Sequence, residues 1–447
     1  MRLDGIPARG PAPVLRMQRN AARMTAPSDP SWQPFFIWLI SLASIALVLI
    51  RPKRLPEALW STIGAGLLLL CRLITPAQAG HAAAKGLDVY LFLTGMMIMA
   101  ELARREGVFD WVAVHAVNVA KGSRRRLFTL IYGVGIAVTV LLSNDATAVV
   151  LTPAVQAAVK AAQAEPLPYL LICAFVANAA SFVLPISNPA NLVVYSGGLP
   201  PLHRWLLTFG LPSLVSIVVT FFLLRFLSRK LLKGGMERNL KGGDLSAAGK
   251  LTLGGIGVLA ITLIVASLLG KDLGAPACVA GLAVAAGVCL RDRRAAVDIA
   301  RGISWSVILL VAGLFVIVEG MNKTGALAAA VSVLRHMSEW NPAGSALTSA
   351  FGIAFISNLM NNLPSGLIAG SAVHLARVTG PLRDSVLIGV DLGPNLSVTG
   401  SLATILWLIA IRREGQHVGF WKFLKWGAVV MPPALVLSVL ALLAGSK

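Results

Sequence analysis

The chain has 447 residues, 56% of them hydrophobic and 13% charged, a balance that a water-soluble domain of this length could not keep in solution. A formal charge of +20 would point to nucleic acid if the basic residues were interleaved with aromatics on one face, but they fall in short loops between apolar segments, the pattern of cytoplasmic loops in a membrane protein. Four cysteines, Cys71, Cys173, Cys278 and Cys289, lie in or beside apolar stretches without CxxC or Cys/His spacing, so they read as small buried hydrophobes rather than metal ligands.

From the N-terminus, residues 1–33 carry Arg2, Arg9, Arg16, Arg19 and Arg23 and no apolar core of signal-peptide type. They read as a disordered basic tail, with Met17 or Met24 as alternative starts. Apolar windows then follow, Pro34–Ile50, Leu55–Leu70, Val89–Ala100, Leu206–Leu224, Leu253–Leu269, Val307–Val318 and Val429–Leu443 among them. Their lengths run towards the roughly 20 residues that a helix needs to cross a hydrocarbon core. The linker at 233–251 contains Gly243-Asp-Leu-Ser-Ala-Ala-Gly249-Lys250-Leu251, superficially a phosphate loop. Its spacing is one residue too long and Leu251 stands where a hydroxyl is needed, so no ATP site, cofactor or enzymatic chemistry is implied.

The second half repeats the first. Gly95 falls on Gly313, Glu101 on Glu319, Gly107 on Gly325 and Asn144 on Asn362, each pair 218 positions apart. After a gap of five, Asn178 falls on Asp391 and Asn188 on Ser401, 213 positions apart. The expected division is a first repeat at 34–232 and a second at 252–447.

The basic clusters Arg51–Arg54, Arg104–Arg105, Lys121–Arg126, Arg225–Lys250, Arg291–Arg301 and Arg412–Lys425 set the topology if all face the cytoplasm. Five crossings per half result, and an odd number turns the second repeat upside down. The arginine-rich tail then lies on the outer side, against the same rule. Five crossings also require Leu127–Lys160 and Ser345–Arg377 to enter and return as hairpins, with polar tips at Ser143-Asn144-Asp145 and Asn358–Pro364. Each is followed by a helix interrupted mid-membrane, at Pro185–Asn191 and at Asp391–Ser401. The expected fold is an all-α integral membrane protein: an inverted-repeat secondary transporter with re-entrant helical hairpins and discontinuous helices, about ten transmembrane helices in all.

Interrupted helices at membrane depth must have their free backbone groups covered by protein or facing a cavity, so the four breaks mark a binding site. The side chains there are amides and hydroxyls: Ser143, Asn144, Ser187, Asn188, Asn191, Asn361, Asn362, Asn395, Ser397, Thr399 and Ser401. Of nineteen acidic residues, Glu101, Asp145, Glu319 and Asp391 are assigned to apolar segments. Asp145 and Asp391, at breaks in opposite halves, are candidate proton carriers because a carboxylate is costly at that depth. Asp145 has a second reading, as the cap of a half-helix. Glu101, followed by Arg104 and Arg105, and its mate Glu319 read as ion-pair or helix-end residues. His374, Arg377 and Arg383 flank the second hairpin on the outer side, His374 either solvated or a proton relay.

At these breaks the sequence resembles the arsenical pump membrane protein family, arsenite efflux permeases within the larger ion transporter superfamily. The resemblance lies in Leu141-Leu-Ser-Asn-Asp145 with Thr152-Pro153, in Ala177–Asn191, in Ile356–Pro364 and in Asp391–Trp407, and it extends over nearly the whole chain after Trp32. It implies export of arsenite or antimonite across a bacterial inner membrane as protons move in, and in some systems a soluble arsenite-stimulated ATPase as partner. It places Asn144, Asp145, Asn188, Asn191, Asn361, Asn362, Asp391 and Ser401 in or near the site. Arsenous acid is neutral at pH 7 and carries three hydroxyls, which suits such a cage. A dicarboxylate would favour a cation at the tips, and none of the four breaks carries Lys or Arg. A sodium/proton antiporter of the same architecture is the alternative.

Overall fold

The computed structural model describes residues 32–446 except positions 51, 53–54, 196–197, 239, 241–242 and 293. Most of the basic tail expected at 1–33 therefore lies outside the described residues, and the first helix begins at Gln33. Among the described residues the regular structure is helical, apart from one isolated bridge between Ser123 and Gly235.

Both halves run through the same order of elements. The first half has Gln33–Ile50, Glu57–Leu70 and Leu87–Arg105, then a hairpin, an interrupted helix and Leu202–Ser228. The second has Ala247–Leu268, Gly274–Cys289 and Ser306–Lys323, again a hairpin and an interrupted helix, and then Phe420–Gly445. Among the described residues five helices are long and apolar enough to cross a bilayer unaided, and the pair Pro76–Ala84 and Leu87–Arg105, bent by 50°, adds a sixth. The rest of the expected spans are short or interrupted. Glu57–Leu70 and Gly274–Cys289 have 14 and 16 residues, about 21–24 Å at the α-helical rise, less than a hydrocarbon core.

The repeats interlock rather than stand side by side. Leu87–Arg105 packs along Gly274–Cys289 of the other half, and Ser306–Lys323 along Glu57–Leu70. Without a hydrophobic driving force between helices in lipid, such contacts depend on close backbone approach at small residues. Gly95 and Gly313 supply it: a β-carbon would sit 2.2 Å from the Ala277 carbonyl oxygen at the first, and 2.9 Å from the Ser61 carbonyl oxygen at the second. Gly107 and Gly325, with φ of 71° and 83°, end the same two helices in left-handed turns. They lead into Val108–Val119 and Ala326–Ser338, two further helices absent from the sequence expectation. Glu101 pairs with Arg104 (2.8 Å to Nε) and Glu319 with Lys85 of the other half (3.4 Å).

The linker lies earlier than the expected 233–251, between Ser228 and Ala247. Ser246 Oγ accepts from Gly249 N–H and starts the next helix at Ala247. The preceding segment is pinned to the base of the first hairpin: Met236 N–H donates to Gly122 O, Glu237 N–H to Ala162 O, and Asn118 both donates to and accepts from the Leu240 backbone.

Candidate functional site

The first hairpin consists of Arg124–Leu141, a tip at Leu142-Ser143, and a returning arm through Asn144–Ala161. It starts three residues before the expected Leu127 because Ser123 Oγ caps the helix by accepting from Arg126 N–H. The returning arm contains a π-helical turn, Thr147–Leu151, immediately before Thr152-Pro153. Proline lacks the N–H and crowds the carbonyl four residues back, so the ladder slips by one. The Thr152 hydroxyl then donates to Thr147 O (3.2 Å). In the second hairpin, Asn341 caps Pro342–Met360 and the break narrows to Asn361, at φ 74°, before Asn362–Ala376. Asn358, Leu359 and Met360, expected in the tip, belong to the arm. Each hairpin is clasped near its tip by a hydroxyl pair, Thr139 with Thr147 at 2.8 Å and Ser357 with Ser365 at 2.8 Å.

The interrupted helices are Leu167–Ala179 with Pro189–Val194, and Pro381–Leu392 with Leu402–Arg413. The first break runs from Ala180 to Asn188, earlier than the expected Pro185–Asn191, because Pro189 serves as the opening residue of a new half-helix capped by Asn188. The carbonyls freed by the breaks are covered as the membrane requires. Ser216 Oγ donates to Ala179 O, Trp205 Nε1 to Phe182 O, Asn191 Nδ2 to Ser181, Leu184 and Pro185 O, and Asn358 Nδ2 to Gly393 O.

Two crossed hydrogen bonds join the repeats at this level. Asn188 Nδ2 donates to Asp391 Oδ1 at 2.8 Å, and Ser401 Oγ donates to Asn178 Oδ1 at 3.4 Å. In each, the cap of one repeat's second half-helix meets the last turn of the other repeat's first half-helix. Around them, Asn178 Nδ2 donates to Asn395 Oδ1 (3.0 Å), and the Ser181 hydroxyl, which donates to Asn178 O, lies beside the Asp391 carboxyl group. Asp391 is fully buried, and its Oδ2 has no hydrogen-bond partner among the described residues. The same holds for Asn144 Oδ1 and Asn191 Oδ1.

The expected site residues divide by what their side chains already do. Asn191 braces the first break, and Ser187 Oγ accepts from Leu184 N–H in the same turn. Ser397 and Thr399 donate to the side chain and carbonyl of Asn358, tying the second break to its hairpin, and Asn395 Nδ2 donates to Phe175 O. Asn361 Oδ1 accepts from Leu363 N–H, while Asn362 N–H donates to Gly400 O. Ser143, not Asp145, caps the short turn after the first tip, by accepting from Ala146 N–H. Asp145 is half-buried and makes no hydrogen bond or ion pair among the described residues. That tip packs against Leu167–Ala179 and Leu402–Arg413, whereas Asn362–Ala376 packs against Pro189–Val194 and Pro381–Leu392.

Several residues at the site were absent from the sequence expectation. Asn178 and Thr404 join the crossed bonds, and Asn178 had a signal, since the repeat already aligned it with Asp391. Besides Glu101 and Asp391, two further acids are buried among the described residues. Glu57 lines a small cleft with Asn361, Pro364 and Leu402, and Asp384 lies two turns before Asp391 on one helix. Among the described residues no three His, Cys, Asp or Glu side chains converge as metal ligands.

A family described as citrate transporter matches residues 45–389. An arsenical pump membrane protein of Escherichia coli is 26% identical over 427 residues, covering 90% of this chain and 97% of that one. One of Yersinia enterocolitica is 25% identical over 359 residues, covering 78% and 84%. The crystal structure of the Alcanivorax borkumensis YdaH transporter aligns with a TM-score of 0.54 at 13% identity over 92% of this chain and 97% of that one, a likeness of fold. The chain belongs to the citrate transporter family, within the ion transporter superfamily, and is a multi-pass transporter of the bacterial inner membrane.

Proposed function

We propose that this member of the citrate transporter family exports arsenite or antimonite, as the neutral trihydroxide, in exchange for protons handled by Asp391 and Asp145. The observation that carries this reading is the fully buried Asp391 carboxyl, held on one oxygen by Asn188 and, among the described residues, without a hydrogen-bond partner on the other, in a setting of amides and hydroxyls. A neutral solute with three hydroxyls can both donate to carboxyl and amide oxygens and accept from N–H groups. Citrate, with several negative charges at neutral pH, would meet two carboxyl groups and, in segments 139–153, 178–191, 357–365 and 391–404, no Lys, Arg or His. The relatives that carry the name arsenical pump support the choice of solute.

Exchange follows from the cost of charge. An ionised Asp391 facing no cation is expensive inside a membrane, so its protonation is linked to what occupies the site and to which side water reaches it from. The oxygens of Asn144, Asn191 and Asp391 that have no partner among the described residues are acceptors left over once the braces are counted. An ion gradient suffices for this cycle, so a soluble ATPase partner would add drive without being required.

The test is arsenite uptake into everted vesicles, with and without a collapsed pH gradient and without added ATPase. Gradient-dependent uptake, unaffected by excess citrate, is the expected result. Sodium-dependent proton movement with no response to arsenite would replace this reading with the sodium/proton antiporter, and citrate uptake would replace it with the activity in the family's name.

A further inference from the structure

Asn188 and Asp391 are one rung of a ladder with a second. Seven residues further along one half-helix of the pair, Tyr195 ends Pro189–Val194; seven residues earlier on the other lies Asp384, in the first turn of Pro381–Leu392. The Tyr195 hydroxyl donates to Asp384 Oδ1 at 3.0 Å, and Arg383 Nε donates to the same oxygen at 2.7 Å. The Arg383 guanidinium carbon lies 5.4 Å from the centre of the Tyr195 ring. A seven-residue spacing returns a helical side chain to nearly the same face, about 10.5 Å along the axis. The two rungs therefore close one seam between half-helices of opposite repeats.

We propose that Tyr195, Asp384 and Arg383 are the outer latch of the transport path, positioning residues whose release opens the seam from the face opposite the basic loops down to Asp391. Tyr195 and Asp384 are buried and Arg383 is one-third exposed, so the charge pair sits at the edge of the seam. A partly exposed charge pair is a weak source of net stability, so the three side chains can part at small cost. A third element closes on the same point: at Gly370, on the returning arm of the second hairpin, a β-carbon would lie 2.4 Å from the Val194 carbonyl oxygen. The opposite, basic face is tied differently, by Lys160 Nζ and Gln156 Nε2 donating to the Glu414 carbonyl, both at 3.0 Å. The latch rests on the alternating-access exchange proposed above.

The experiment uses a cysteine-free full-length chain with Ser187→Cys as a reporter at the first break, labelled in intact cells by a membrane-impermeant maleimide. Tyr195→Phe keeps the ring and its packing on Trp205, 5.5 Å away, and removes only the hydroxyl. Labelling is expected to accelerate roughly tenfold in Tyr195→Phe and in Asp384→Asn, the size of effect for one lost hydrogen bond to a charged group. Unchanged labelling in both variants, at normal protein level, would overturn the latch; a merely structural role would lower protein level without altering access. In a second arm, Tyr195→Cys with Asp384→Cys is bridged by a short bifunctional thiosulfonate. Transport should stop and return on reduction, and undiminished transport by the bridged protein would equally overturn the proposal. A parent chain that moves no arsenite would sink the functional reading while leaving the labelling result to judge the latch.

Discussion

Asn188 and Asp391 hold the two halves of the chain together at the level of the breaks, Nδ2 to Oδ1 at 2.8 Å, and the repeat assigns their counterparts as Ser401 and Asn178, which make the second crossed bond. The positions correspond but the residues do not: one repeat places an ionisable group where the other places an amide. On the proposed exchange, that asymmetry assigns the proton to the crossing that carries Asp391. Asp391→Asn makes the two crossings alike and can still accept from Asn188. Export coupled to protons should fall on the order of a hundredfold, the scale of an essential proton-transfer group, with protein level intact. Normal arsenite resistance in cells carrying the variant would end the assignment of Asp391.

The other partner gives a graded test. Asn188→Ala removes both the cap on Pro189–Val194 and the hydrogen bond that Asp391 Oδ1 accepts. Leaving a buried acceptor unsatisfied should cost about 1–3 kcal/mol and the lost cap roughly 1 more. Asn188→Ser copies Ser401, which caps and donates at the matching position. Thermal unfolding in detergent should rank wild type above Asn188→Ser and that above Asn188→Ala. Equal stability of the two variants would contradict the crossed-bond account.

The hydroxyl clasps allow a measurement at each hairpin. Thr139→Val is nearly isosteric and leaves Thr147 with only its long bond to Ser143 O, 3.4 Å. Polar pairs between membrane helices are worth about 0.6 kcal/mol on average by double-mutant cycles. A cycle of Thr139→Val and Thr147→Val should therefore show coupling near that value, as should Ser357→Ala with Ser365→Ala. Strict additivity at both hairpins would mean that the clasps carry no energy.

Much of this arrangement is legible in the residues, and the landmarks show why. Gly95 and Gly313 recur because two helix backbones touch there, Gly107 and Gly325 because the chain turns left-handed there, and Glu101 and Glu319 because each meets a cation. Hydropathy found the spans and proline the breaks. What the sequence could not supply was direction. Asn191, Ser397 and Thr399 have the right chemistry for a ligand, yet they turn back to cover backbone that the breaks themselves set free. Glu57 and Asp384 were missed for the opposite reason: both lie at helix beginnings, near Arg54 and next to Arg383 in the sequence, where a carboxylate ordinarily meets water, and only the fold buries them.

The glycine contacts predict a steric effect without any change in polarity. Gly95→Ala forces a methyl group towards the Ala277 backbone, which is not free to rotate away. Overpacking of this kind costs about 1–3 kcal/mol, and here it acts between the two repeats. Gly313→Ala should do the same at Ser61. Gly66→Ala, on Glu57–Leu70, meets nothing within 4 Å and should be neutral or stabilising by up to ~1 kcal/mol. Similar detergent stability for all three variants would show that the interlocked packing is not what holds the halves together.

Thiols are the remaining route by which an arsenical could be bound, and the positions of the cysteines bear on it. Cys173 is buried within Leu167–Ala179, Cys71 is exposed at the end of Glu57–Leu70, and Cys278 and Cys289 are half-buried on Gly274–Cys289, eleven residues apart. Eleven residues along a helix is about 16 Å, too far for two sulfurs to share one arsenic. A chain with all four cysteines replaced by alanine should transport at near the parental rate, losing at most about 1 kcal/mol of stability, at Cys173, for a deleted buried group. Vesicle uptake with unchanged dependence on arsenite concentration is the expected reading. Complete loss of transport in a well-folded variant would move the binding site from the amide and hydroxyl cage to the thiols.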